Sequence, residues 1–170
     1  PVYYTAGEAD REMVQYCCGS EATTGLLGQD SDFLVLPTPR YLVLDTLRWN
    51  DERPTVTAYP REAIVGLIGL PSPLMPLVGS LVGNDFVSQN ALGGFHSALL
   101  AGTGHNASGA PLIEAVAAFV RRKSEAAGWK GPRPATPLLW AALDLDGRLR
   151  ADVRELVEAS LAQYEVGAYE

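Results

Sequence analysis

The sequence is poor in the residues that staple or metallate a small fold. Of 170 residues, two are cysteine and two are histidine. The cysteines are neighbours, Cys17 and Cys18, and a disulfide between adjacent residues strains the peptide that joins them. A zinc site takes about four ligands, and His96 and His105 lie far along the chain from the thiols. These counts argue against a disulfide scaffold and a zinc-organised fold. They imply reduced, structural thiols in a nuclear or cytoplasmic setting. Long apolar runs are also lacking: Gly, Pro or charge interrupts each one well before the ~20 residues that a membrane span takes. Pro1–Thr5 is short, apolar and followed at once by acid, unlike a signal peptide. Basic residues number 13 against 20 acids, a formal net charge of −7. That balance argues against a protein that simply coats nucleic acid.

What is present suffices for a core. Hydrophobic residues make up 47% and charged residues 19%, a balance that excludes global disorder. The length suits one good-sized domain or one and a half small ones. Acidity is uneven: residues 1–100 hold 11 acids and 5 bases, residues 101–170 hold 9 acids and 8 bases.

The pattern predicts an α/β part followed by a helical part, divided as 1–59 and 60–170. Pro1–Thr5 reads as a short strand. A helix follows from Glu8 to about Cys18, with acids in its first turn and Gly19 as its cap. Thr23–Gly28 reads as a second strand and Phe33–Leu36 as a short run buried on both faces. Strand, helix and strand within ~30 residues predict a βα unit with a parallel sheet. Arg40–Trp49 reads as a strand passing into a connection, and Asn50–Thr55 as a loop. In the helical part, Pro60 suits the first position of a helix to about Leu70, with Ile64, Leu67 and Ile68 as its apolar stripe. Leu74–Val82 is a second, strongly apolar helix that ends at Gly83-Asn84-Asp85. Residues 88–110, rich in Gly, Ser, Asn and Ala, read as a loop. Pro111–Ala127 is amphipathic through Leu112, Val116, Phe119 and Val120, with Gly128 as its stop. Gly131–Pro137 is a Pro-rich connection. Arg148–Tyr164 is a last helix with Leu149, Val153, Leu156, Val157 and Leu161 on one face.

Three acidic motifs carry the chemical expectation. Glu8-Ala9-Asp10 sits where a strand gives way to a helix, Asp30-Ser31-Asp32 at the carboxyl end of a predicted strand, and Asp85 after a buried helix. Ligands of open α/β sheets gather at the carboxyl ends of strands. Clustered carboxylates repel and raise one another's pKa, so five together call for a cation. Mg²⁺ accepts a few carboxylates and keeps several waters. Two such ions ~3.5–4 Å apart can activate water for phosphodiester hydrolysis. Each motif alone also fits a turn or a first-turn helix acid.

The wording of these motifs resembles the internal region of the flap-endonuclease/XPG nuclease superfamily, in its Asteroid-type branch. Ala6-Gly7-Glu8-Ala9-Asp10-Arg11-Glu12 is similar to the Glu-Ala-acid motif. Gly28-Gln29-Asp30-Ser31-Asp32-Phe33 is similar to the Asp-x-Asp motif that follows about 20 residues later. Leu81-Val82-Gly83-Asn84-Asp85-Phe86 is similar to the Leu-Gly-x-Asp-Tyr motif. Tyr41-Leu42-Val43-Leu44-Asp45 and Leu47-Arg48-Trp49 are closest to the Asteroid branch. The resemblance spans about residues 1–90. It implies a PIN-like α/β fold, Mg²⁺ or Mn²⁺ held by Glu8, Asp10, Asp30, Asp32 and Asp85, and structure-selective cleavage of branched or single-stranded DNA by a metal-bound water. Within that set, Glu8, Asp10, Asp30 and Asp32 are the expected catalytic residues. The family carries further Asp ligands on earlier strands, so the resemblance implies an incomplete segment. A second departure stands beside that one: Ser88–Gly104 lacks the family's Gly-Ile-Gly helix–hairpin–helix and holds no Lys or Arg. A non-catalytic scaffold of the same fold and an RNA-associated PIN-like protein are the alternatives.

Arg121, Arg122, Lys123 and Lys130, with Trp129 and Arg133 nearby, form the one basic cluster. They could track phosphates, or they could be a solvated helix end. Asp144-Leu145-Asp146-Gly147 lacks EF-hand spacing and reads as a turn. His96 and His105 read as loop residues. Ser20, Ser31 and Ser80 have no nucleophile-elbow context.

Overall fold

Residues 4, 8–104, 108–129 and 151–165 are described by a computed structural model. The expected strand Pro1–Thr5, Lys130, the connection Gly131–Pro137 and the turn Asp144–Gly147 fall largely or wholly outside them. The described chain divides into two units, one running through Leu67 and the other from Ile68 to Glu165.

In the first unit, acids at the amino end favour helix α1 (Ala9–Gly19): Asp10 and Glu12 lie in its first turn, where the helix dipole attracts negative charge. Its inward face is Val14 and Cys17. Strand β1 (Leu26–Gly28) pairs in parallel with β2 (Arg40–Val43), register Leu26↔Tyr41 to Gly28↔Val43. Strand β5 (Ala58–Pro60) pairs antiparallel on the other side of β2. The sheet, in order β1-β2-β5, is therefore mixed, where a parallel PIN-like one was expected. The fold is α/β with a small sheet and many helices.

Two local readings change for identifiable reasons. Phe33–Leu36 is not a strand. The Asp30 side chain accepts a hydrogen bond from the Asp32 N–H at 2.9 Å, and this cap starts a 3₁₀ turn over Ser31–Leu34. The turn swings Phe33 inward, its ring 5.7 Å from that of Tyr41. It also lies so close to Gly28 that a Cβ there would fall 2.8 Å from the ring. Asn50–Thr55 is not a plain loop. Strands β3 (Arg48–Asn50) and β4 (Arg53–Thr55) form a hairpin. Asp51 and Glu52 take φ of +45° and +65° at its tip, the left-handed pair that matches the twist of a two-residue hairpin.

Helix α2 (Arg61–Ile68) begins one residue after Pro60. Arg61 is the clasp of the first unit: its guanidinium donates to the carbonyls of Leu34, Val35 and Leu36 at 2.9–3.1 Å. Burial pushes its pKa down, opposed by Cys18 and Glu62. The expected stripe is only partly right, since Ile64 is buried but Leu67 is 87% exposed.

The second unit is built on α3 (Met75–Val82), whose Met75, Leu77, Val78 and Leu81 are buried. Gly83 ends it at φ +106°. Helix α4 (Gly93–Leu99) occupies the stretch expected as a loop. Its glycines disfavour a helix, but burial overrides them: Phe95 packs edge-on against Phe119 at 5.3 Å, and His96 Nε2 reaches the Leu81 carbonyl at 2.8 Å. Helix α5 (Gly109–Ala126) presents the expected face of Leu112, Val116, Phe119 and Val120. Helix α6 (Ala151–Gln163) adds Val153, Val157 and Leu161, leaving Leu156 outside. These residues form one continuous core with α3. Among the described residues, no single helix is long and apolar enough to cross a membrane.

Removing the clasp leaves three carbonyls without their charged donor. Arg61→Ala is expected to lower the stability of the first unit by about 2–4 kcal/mol. Arg61→Lys should recover less than half of that, because an ammonium lacks the planar fork. Urea titration followed by circular dichroism measures both.

Candidate functional site

The carboxyl ends of the parallel pair define the site. Gly28 and Val43 are register partners, and each is followed two residues later by an acid, Asp30 and Asp45. Gln29 Nε2 donates to Asp45 Oδ1 across the gap. Tyr41 lies between, its hydroxyl donating to the Gly28 carbonyl at 3.1 Å. Its phenol pKa is raised by burial first, then by the charges of Asp30 and Asp45. The amino end of α1 completes the rim with Glu8 and Asp10. Asp10's carboxyl is pushed up by burial, then by Asp30 and by Glu8. Asp10 therefore senses the charges of both Asp30 and Glu8.

Other expectations fare differently. Asp30 is a cap as well as a rim charge, holding the Asp32 N–H. Asp32 is partly buried in the 3₁₀ turn. Asp85 is exposed and belongs to the second unit. Its neighbour Asn84 carries the structural work in that motif, bonding Ser160 and Tyr164 through Nδ2 and the Phe86 and Val87 N–H groups through Oδ1. Among the described residues, no three His, Cys, Asp or Glu side chains stand close enough to hold a metal ion. In the basic cluster, Arg121 donates to the carbonyls of Ile68 and Gly69 at 3.0 and 3.1 Å. Arg122 and Lys123 each lie 5.9 Å from the centre of the Phe119 ring. Cys17 and Cys18 are free thiols. Burial raises the pKa of both, and Cys18 donates to the Pro37 carbonyl at 3.2 Å.

Sequence reasoning passed over Asp45 and Tyr41 as site residues. Asp45 follows β2 at the offset at which Asp30 follows β1, but a strand read from Arg40 into Trp49 has no end before Asp45 from which to count.

A family model, the FAM120A-like domain, matches residues 68–131, less than half of the chain. The match begins at the residue where the second unit begins. No curated protein matches this chain, and no solved structure does. The resemblance to Asteroid-type flap endonucleases is not upheld, because the family match is to a FAM120A-like domain and no XPG or PIN-like family is matched. The nuclease function inferred from that resemblance is withdrawn with it. The motifs misled because short acid-rich strings also serve as caps and first-turn helix acids, as Asp30 and Asp10 do here.

Asp10's raised pKa fixes a pH dependence. The folded state binds the extra proton between the ordinary Asp value, ~3.9, and the raised one. Stability therefore falls as pH climbs through that window, and the cost persists at neutral pH. Asp10→Asn is expected to melt higher than the parent at pH 7, with the gap closing as pH drops below about 4. Thermal unfolding across pH measures it, and parallel curves for the two proteins would exclude the repulsion.

Proposed function

We propose that this chain is a binding module whose acidic rim receives a basic segment of a protein partner. The carrying observation is the placement of Asp30 and Asp45 just after the paired carboxyl ends of β1 and β2, bridged by Gln29, with Asp10 near enough to feel the charges of Asp30 and Glu8. Like charges held together at a strand end gain stability from any cation that approaches them. Two basic side chains of the same unit are engaged with main-chain oxygens: Arg61 bonds three carbonyls, and Arg48 bonds those of Asp45 and Leu47.

Two further features favour a cationic peptide as the occupant. Trp49 follows Asp45 by four residues and is 71% exposed. A tryptophan face attracts Lys and Arg through its ring quadrupole. The rim also lies at the carboxyl ends of parallel strands, where α/β folds place their ligands.

The test is titration of the intact chain with an Arg/Lys-rich peptide. Binding is expected to weaken about tenfold from low to moderate salt, as exposed charge pairs are screened. Glu8→Gln and Asp45→Asn should each weaken it about two- to fivefold. A peptide whose affinity ignores both substitutions, or single-stranded DNA or RNA that binds more tightly than the peptide, would overturn the reading.

A further inference from the structure

A polar cluster in the second unit ties a loop to a helix through one side chain. Asn84 sits after α3, in the turn opened by Gly83. Its Oδ1 accepts from the Phe86 N–H at 3.0 Å and the Val87 N–H at 3.1 Å. Its Nδ2 donates to Ser160 Oγ at 2.7 Å and to the Tyr164 hydroxyl at 2.9 Å. Ser160 Oγ also bonds Ser80 Oγ of α3 at 2.7 Å. Ser80 and Ser160 are fully buried and Tyr164 nearly so.

We propose that Asn84 is a conformational coupler, through which seating of α6 on α3 sets the shape of the loop from Gly83 to Leu92. Packing of Val87 and Leu92 in the core holds the two sides of this loop, and Ser88 Oγ accepts from the Ala91 N–H at 3.2 Å. The loop's other main-chain bonds are local: Asn84 N–H to Val87 O, Leu92 N–H to Ser88 O and Gly93 N–H to Asn90 O. The amide group of Asn84 is planar, so both ends are oriented together. When Ser160 and Tyr164 hold Nδ2, Oδ1 is aimed at the two N–H groups of the turn. When α6 leaves, Nδ2 loses two buried acceptors and the plane is free to rotate. The Phe86 and Val87 N–H groups then lose a fixed acceptor, and Val87, fully buried in the core, loses its anchor. A buried polar network of this kind is costly when only half satisfied, so its bonds tend to be kept or lost together.

The coupling also bears on what the turn presents. Asp85 and Phe86 stand exposed at its tip, so a partner that grips either senses whether α6 is docked. Conversely, a partner bound there stabilises α6, because coupling is reciprocal. Nothing in this depends on the acidic rim, whose residues all lie in the first unit.

The test is hydrogen exchange on the full chain carrying Ser160→Ala and Tyr164→Phe together. These changes remove the acceptors for Nδ2 but touch no atom of the loop. Expected is a loss of protection of about tenfold or more at the Phe86 and Val87 amides, with the interior of α5 unchanged. Unchanged protection at both amides, or an equal loss throughout the unit, would overturn the proposal. Should the double variant fail to fold, Tyr164→Phe alone removes one acceptor and no packing carbon. It is expected to give a smaller loss at the same two amides, and no loss there would equally overturn it.

Discussion

Short elements leave many backbone groups without partners, and this fold satisfies them with side chains reaching across the sequence. The sheet strands are three or four residues long, and two helices have eight residues. Each end frees carbonyls and N–H groups that burial would otherwise penalise. Arg61 serves the carbonyls of Leu34 to Leu36, Arg121 those of Ile68 and Gly69, and His96 that of Leu81. Asn84 serves the N–H groups of Phe86 and Val87. Each of these side chains also fixes where its own helix or turn lies. Main-chain satisfaction and tertiary placement are thus one interaction.

That constraint gives several polar side chains structural contacts. A guanidinium that grips carbonyls has its N–H groups aimed at backbone and not at a phosphate. Asp30 holds a backbone N–H and starts a turn. Acidic charge collects where β1 and β2 end. The strands are parallel, so their carboxyl ends coincide and the acids that follow them are brought together.

Much of the second unit was legible because burial there follows helical period. Leu112, Val116, Phe119 and Val120 sit at helical spacing, and they form the inner face of α5. Helix α4 was illegible for the opposite reason: a Gly- and Ser-rich string carries no helical preference, and only contact with Phe119 and the Leu81 carbonyl makes it a helix. In the first unit, the positions of Glu8, Asp10 and Asp30 at element ends could be read from the sequence. The family assigned to those motifs was wrong, since short acidic strings do not tell a ligand from a cap.

The sequence by itself determined the acid-rich first part and the apolar stripes of the longer helices, because composition and period act locally. Only the tertiary structure decided that the sheet is mixed and that Asn84 rather than Asp85 matters in its motif. It also decided that Asp45 joins the rim. These depend on groups distant in sequence, such as Tyr59 beside Tyr41 or Ser160 beside Ser80, and no local pattern encodes which distant partner a backbone or hydroxyl group will meet.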